Sequence, residues 1–208
     1  MLAPAILGAL LTACGGGGGA GGSAPSTTPS SRPPQLYQPL AVGDSWKYTC
    51  HFRNPPGPGT FPIANAVTGM QTVNGVATFA LELQIVTSPS KIATETMLVA
   101  NDAAGNTTLY GYVMGGTVLP VSPAVIVAAA PSTTASYNYT GPNGVTVTRT
   151  FVSIGSTNPT PLGVFVVAIY YETGGTHNYG YALGQGIMEE DHGPNFQYDC
   201  VINAVHLS

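Results

Sequence analysis

From Trp46 onward, apolar and polar residues alternate almost one for one. In Ser45–Arg53 the side chains of Trp46, Tyr48, Cys50 and Phe52 share one face, and Lys47, Thr49, His51 and Arg53 share the other. A two-residue period belongs to a strand, so one face can be buried while the other meets solvent. Turn residues interrupt the pattern at short intervals. The segment from Asn54 to Gly59 carries three prolines, which cannot donate to a ladder. Val73-Asn74-Gly75-Val76 and Thr140-Gly141-Pro142-Asn143-Gly144 carry Asn-Gly pairs, the residues favoured in tight hairpins. Further turns fall at 101–106, Gly174-Gly175 and Gly193-Pro194-Asn195.

Between these breaks, strands are predicted over about 61–73, 76–87, 92–100, 107–114, 117–119, 136–139, 145–154, 164–172, 177–183, 187–191 and 196–207. Residues 121–130 read equally as a short helix or a buried strand, with Pro123 and Pro131 at their borders. Short turns between consecutive strands give a mainly β fold: a single antiparallel meander of nine to eleven strands, curled into a half-barrel or sandwich, with at most one short helix.

Composition supports this reading and removes some functions. Charged residues make up 7% of the chain, against about 25% in ordinary domains. Helices draw on charged residues for their exposed faces; strands and turns need fewer. The five basic residues, Arg32, Lys47, Arg53, Lys91 and Arg149, are scattered through a chain of net charge −4. No basic stripe exists to neutralise phosphates, which argues against nucleic acid. The same scarcity argues against attraction to anionic lipid through a polybasic patch.

The first 35 residues follow different rules. Residues 1–13 form a short apolar stretch, too short to span a bilayer but of the length of a signal-peptide core. Leu11-Thr12-Ala13-Cys14 resembles a bacterial lipobox. That resemblance implies that the chain is cut before Cys14, that its sulfur carries diacylglycerol, and that acyl chains hold the protein in the membrane. Gly15, with no Asp after the Cys, resembles the signals for the outer membrane. The alternative is a secretory signal with an incidental Cys. The leader contains no Lys or Arg, which points to a translation start upstream of Met1. Residues 14–35, the lipidated Cys and a Gly/Ser/Pro-rich run, read as a tether with too little apolar surface to order itself. The β domain is expected over 36–208.

With Cys14 lipidated, Cys50 and Cys200 remain, and an even pair in an exported chain points to a disulfide. Closing a loop that long stabilises the fold by roughly 5 kcal/mol on loop-closure entropy. A redox or metal pair is the alternative, though neither Cys belongs to a C-x-x-C motif.

Two segments of the domain resemble a loosely defined group of exported bacterial β proteins. One is Tyr37-x-Pro39-Leu40-x-x-Gly43-x-x-Trp46-x-Tyr48. The other is Thr160-Pro161-Leu162-Gly163-x-Phe165 followed by Tyr179-x-Tyr181-Ala182-Leu183-Gly184-Gln185-Gly186-Ile187. The resemblance implies a curved antiparallel sheet and no particular chemistry.

Few residues invite a catalytic reading. Gly43-Asp44-Ser45 is similar to the nucleophile block of GDSL esterases, but Ser45 opens a strand, and Asp191-His192 lacks the partner spacing. Glu189-Glu190-Asp191-His192 is the densest polar cluster. On a strand Glu189 and Asp191 face one way, Glu190 and His192 the other, so the set reads as a solvated strand end and not as a metal site. His51, His177 and His206 stand alone. Tyr170, Tyr171, Tyr179 and Tyr181 crowd one stretch and could line a concave sheet, stacking on a ligand. The expectation is a non-catalytic module, without cofactor or metal, for a small molecule, glycan or envelope protein. A hydrolase and a structural or adhesive surface protein are the alternatives.

Overall fold

The computed structural model describes residues 36–208 apart from 55–58, 89–90, 133, 158, 174–176 and 193–196. The leader, Cys14 and the tether lie outside the described residues, as do the turns at Gly174-Gly175 and Gly193–Asn195. Twelve strands run through the described part: β1 (Ser45–Asn54), β2 (Thr60–Val73), β3 (Val76–Ser88), β4 (Lys91–Asn101), β5 (Thr107–Met114), β6 (Thr117–Val127), β7 (Ser136–Thr140), β8 (Thr146–Ser156), β9 (Val166–Thr173), β10 (His177–Ala182), β11 (Gly186–His192) and β12 (Gln197–His206). No helix occurs among the described residues.

All twelve strands belong to one antiparallel sheet, in the order β6-β5-β4-β3-β2-β1-β12-β11-β10-β9-β8-β7. Each strand pairs with its sequence neighbours except at one place. Between β6 and β7 there is no ladder, and β1 pairs instead with β12. The sheet therefore curls into a barrel that lacks one seam of hydrogen bonds. Cys50 and Cys200 lie opposite each other in the β1–β12 register and form a disulfide across 150 residues of sequence.

Residues 121–127 are strand, not helix. Two prolines three residues apart cannot serve a helix interior, and Val121, Val125, Ile126 and Val127 favour a pleated surface. Pro120 and Pro123 are tolerated because β6 is an edge strand, and they blunt that edge against further pairing.

The two Asn-Gly hairpins differ. Asn74 and Gly75 both have positive φ, 50° and 83°, as a two-residue type I′ turn requires. In the second hairpin the ladder stops at Thr140–Thr146, leaving five residues in the loop. A two-residue loop at Asn143-Gly144 would need an N–H from Pro142 to bond Val145. The Gly141 N–H makes that bond instead, at 2.8 Å to the Val145 carbonyl.

The alternation seen in the sequence sorts the two faces. Trp46, Tyr48 and Cys50 are buried inside the barrel, while Lys47, Thr49 and His51 are exposed. One end of the barrel is closed. The segment before β1 lies across it, with Leu36 O accepting from Gly184 N at 2.8 Å and Gln38 O from the Asn101 side chain at 3.1 Å. Asp44 is fully buried there. Its carboxylate accepts from Ala41 N at 2.8 Å and from Ser208 N at 2.9 Å, so the Gly43-Asp44-Ser45 block is a turn clamp.

The two segments that resemble exported β proteins meet at this end. Trp46 Nε1 donates to Gln185 O at 2.6 Å, and the Tyr48 hydroxyl donates to Ile187 O at 2.9 Å. Gly186 sits under the Trp46 ring with φ at 86°; a Cβ there would come within 2.7 Å of the ring. Gly186→Ala must therefore displace a fully buried indole and hold a left-handed backbone. We expect a loss of about 2–4 kcal/mol in chemical denaturation; a change under 0.5 kcal/mol would refute the lock.

Candidate functional site

The other end of the barrel carries the chemistry. Its interior positions come from strands whose inward faces include ionisable residues among apolar ones. On β8 the inward set is Val147, Arg149 and Phe151; on β9 it is Ala168, Tyr170 and Glu172. Arg149 and Glu172 face each other across the β8–β9 ladder, each 2% exposed.

A buried ion pair needs further hydrogen bonds to offset its desolvation. This one has them. Arg149 Nε donates to Glu172 Oε1 at 2.7 Å, and Nη2 donates to the same oxygen. Nη1 donates to Ile126 O at 2.9 Å and to the Tyr181 hydroxyl at 3.0 Å. The Tyr139 hydroxyl donates to Glu172 Oε1 at 2.7 Å, while Glu172 Oε2 lies 3.7 Å from His177 Nδ1. The guanidinium carbon sits 4.8 Å from the centre of the Tyr179 ring and 5.7 Å from that of Tyr139. Burial is the largest single influence and opposes the Arg149 charge, but Glu172 together with Tyr181, Tyr139 and Tyr179 outweighs it and raises the arginine pKa well above its usual value.

The bond to Ile126 O crosses from β8 to β6, and Ala128 N donates to the Tyr170 hydroxyl at 3.2 Å from the end of β6 to β9. Side chains thus span the seam that has no ladder.

Above the ion pair lies a cavity of about 170 Å³. Leu83, Ile85 and Met97 form its apolar side; Tyr112, Tyr139, Tyr179, Glu95, Arg149, Glu172 and His177 its polar side. A second, wider chamber of about 330 Å³ adjoins it, and Ile85, Glu95, Tyr112 and Pro142 line both. Tyr112 is 1% exposed, and its hydroxyl has no hydrogen-bond partner among the described residues. Burial pushes Glu95 up to about 7, with Glu172 adding to the shift and Arg149 opposing it. Burial also raises the Tyr112 hydroxyl, with Glu95 next in effect.

The tyrosines singled out in the sequence separate here. Tyr179 lines the cavity. Tyr181 and Tyr170 are buried in the surrounding wall, their rings 5.7 Å apart. Tyr171 faces outward, 42% exposed, beside a shallow groove over Gly180. His177 joins the site, its ring stacked on Tyr179 with centroids 5.6 Å apart. His51 pairs with Asp199 at 3.3 Å on the outer face, and His206 is exposed.

The acidic run on β11 splits as its period requires. Glu190 turns inward and is buried, against the expectation of a solvated strand end, and accepts from the Asn65 side chain at 2.6 Å. Asp191 lies opposite Asp199 on the outer face. Among the described residues no group of three or more His, Cys, Asp or Glu side chains is arranged to hold a metal ion.

Sequence reasoning passed over Arg149, Glu172, Glu95, Tyr112 and Tyr139. The signal was present for Arg149: a charged residue in phase with Val147 and Phe151 on an alternating strand must be buried, and a buried arginine needs a carboxylate.

No family model matches this chain, and no curated protein matches it in sequence. Two solved structures are similar to it. A candidate exported protein with YmcC-like fold from Bacteroides fragilis NCTC 9343 superposes with a TM-score of 0.46 at 12% identity, over 83% of this chain and 99% of that one. A candidate lipoprotein from Parabacteroides distasonis ATCC 8503 gives 0.44 at 14% identity, over 82% and 98%. Likeness at this level says nothing of ligand or activity.

Burial pushes Glu190 up to about 7 from its ordinary 4.5, the Asn65 hydrogen bond opposing it. Between those values the folded domain holds protons that the unfolded chain releases. The stability contributed by Glu190 and Glu95 is therefore complete below about pH 4.5 and is lost as pH rises through about 7, at no more than about 1.4 kcal/mol per pH unit for each group. We expect the melting temperature to fall between pH 5 and pH 8, and Glu190→Gln to make that fall shallower. An unchanged slope in the variant would show that Glu190 does not hold the proton.

Proposed function

We propose that this chain is a non-catalytic binding module, held at the outer membrane of a bacterial envelope by lipid on Cys14, which takes a small ligand into the open end of its barrel. The observation that carries the binding role is the cavity beside Arg149 and Glu172. It joins an apolar side to a few fixed polar groups, and one of those, the Tyr112 hydroxyl, is buried without a partner among the described residues. That combination is how small-molecule sites are built. A buried polar group left unpaired costs about 1–3 kcal/mol, which a ligand atom or a water in the cavity would relieve.

The anchor is supported by the lipobox-like Leu11–Cys14 and by the Gly/Ser/Pro-rich run after it. The described chain begins at the closed end of the barrel, so the cavity opens at the opposite end from residue 36. Among the described residues lining the cavity, the hydrogen bonds above include no nucleophile–base pair. The one His–Glu contact uses a carboxylate already committed to Arg149 and Tyr139.

Two measurements test the two halves of the proposal. Mass spectrometry of the peptide beginning at Cys14, taken from the membrane fraction, should show an acylated sulfur; a free thiol there would remove the anchor. For the cavity, small fragments screened by ligand-observed NMR should compete for one site on the native domain. Ile85→Trp fills both chambers from a half-buried position, and it should abolish that binding while shifting the melting temperature by only a few degrees. Fragments that bind the variant equally well, or a native domain that binds none, would overturn the binding role.

A further inference from the structure

We infer that the cavity selects an organic cation: a primary amine on a short apolar body, its ammonium held between the Glu95 carboxylate and the Tyr112 hydroxyl. The inference rests on the reading of the cavity as a ligand site and names the ligand's class.

Charge decides the sign of the ligand. The charged side chains lining the inner chamber are Arg149, Glu95 and Glu172, one cation against two carboxylates. Arg149 is committed. Its bonds to Glu172, Ile126 O and the Tyr181 hydroxyl occupy at least four of its five N–H donors. An incoming anion would find a saturated guanidinium and, as Glu95 ionises, a surplus of negative charge. Glu95 differs from Glu172 because, among the described residues, no cation of the chamber is paired with it: the guanidinium of Arg149 is held by Glu172. Among the described residues the outer chamber adds no charged side chain to Glu95; its other walls are Ile85, Ala93, Thr94, Tyr112, Val113 and Met114 with the turn residues Gly115 and Pro142.

Hydrogen-bond chemistry points the same way. An ammonium carries three donors and no acceptor. Glu95 when ionised only accepts, and the Tyr112 oxygen can accept as well. The two groups sit on adjacent strands, with Tyr112 opposite Met97 in the β4–β5 register and Glu95 two residues from Met97. Both side chains line the inner and the outer chamber, so one ligand group entering there meets the two of them.

Size sets the body. An apolar cavity of about 150 Å³ accepts a benzene ring, and the inner chamber here is about 170 Å³. Leu83, Ile85 and Met97 offer the apolar wall for such a ring or a short alkyl chain. The groups that face Glu95 and set its titration are Glu172, Arg149 and Tyr112, with His177 across the inner chamber. A bound cation stabilises the ionised form of Glu95, so binding releases a proton near neutral pH.

The test uses three ligands of one shape: benzylamine, benzyl alcohol and benzoate, titrated calorimetrically into the oxidised domain. Benzylamine should bind at least tenfold more tightly than benzyl alcohol, and benzoate should not bind. Benzylamine affinity should rise severalfold between pH 6 and pH 8, where the amine itself stays protonated. Glu95→Gln should abolish the preference for the amine and leave the alcohol unaffected. Equal or stronger binding of the alcohol or of benzoate would overturn the choice of a cation and leave the binding role standing. Failure of all three, in a domain that still binds other fragments at this site, would do the same. Failure of every fragment would remove the site itself.

Discussion

Pairing of the first strand with the last is the constraint from which the rest of this structure follows. Twelve strands that paired only with their sequence neighbours would make an open, twisted sheet with two long edges. The β1–β12 ladder joins what would be those edges, and the Cys50–Cys200 bond makes the junction covalent. It also brings Trp46 onto Gln185 and Tyr48 onto Ile187, contacts between residues 139 apart in sequence. A ladder of that kind forms late in entropy terms, because a long loop must close before its bonds can form. The disulfide lowers that cost by restricting the unfolded chain.

Once the sheet is curled, its interior has to be filled along its whole length, and the two ends are filled differently. At the closed end large apolar side chains such as Trp46 and Tyr48 pack with Tyr37 and Leu40 of the segment before β1. Toward the open end the inward positions pass to Arg149, Glu172, Glu190, Asn65 and Glu95. Polar groups at this depth are tolerated only when hydrogen-bonded, and most of them are bonded to one another. Replacing Arg149 alone would strand the Glu172 charge in the interior, a loss of about 3–5 kcal/mol by analogy with other buried pairs. The same network gives the barrel its closure across the β6–β7 seam through Ile126 and Ala128, so the groups that shape the cavity also hold the wall together.

Much of the fold could be read from the residues. The period of two located nearly every strand, and Asn74-Gly75 named its turn correctly. The misreadings have particular causes. Residues 121–127 were ambiguous because a short apolar run with flanking prolines has no period to distinguish helix from strand. The second Asn-Gly pair formed a five-residue loop because Pro142 has no N–H to give. The site was less legible. Tyr179 and His177 lie in it, yet Tyr171, on the same stretch, faces out, since neighbouring residues on a strand cannot share a face. Glu190 was assigned to the correct side of its strand, but which side was interior depended on Met188 and on the curl of the sheet. The pairing of Arg149 with Glu172 depends on strand register, which no local pattern in the chain specifies.

Read around the barrel from β7 through β12 and on from β1 to β6, the twelve strands form an unbroken succession of neighbours, and the natural chain simply begins in the middle of it. Ser208 already bonds Asp44 at the junction. A circularly permuted chain, opened between residues 127 and 136 and joined from 208 back to 36, would turn the most distant pairing in the protein into a local one. It would reach the same barrel with its ends at the seam, where no ladder joins β6 to β7.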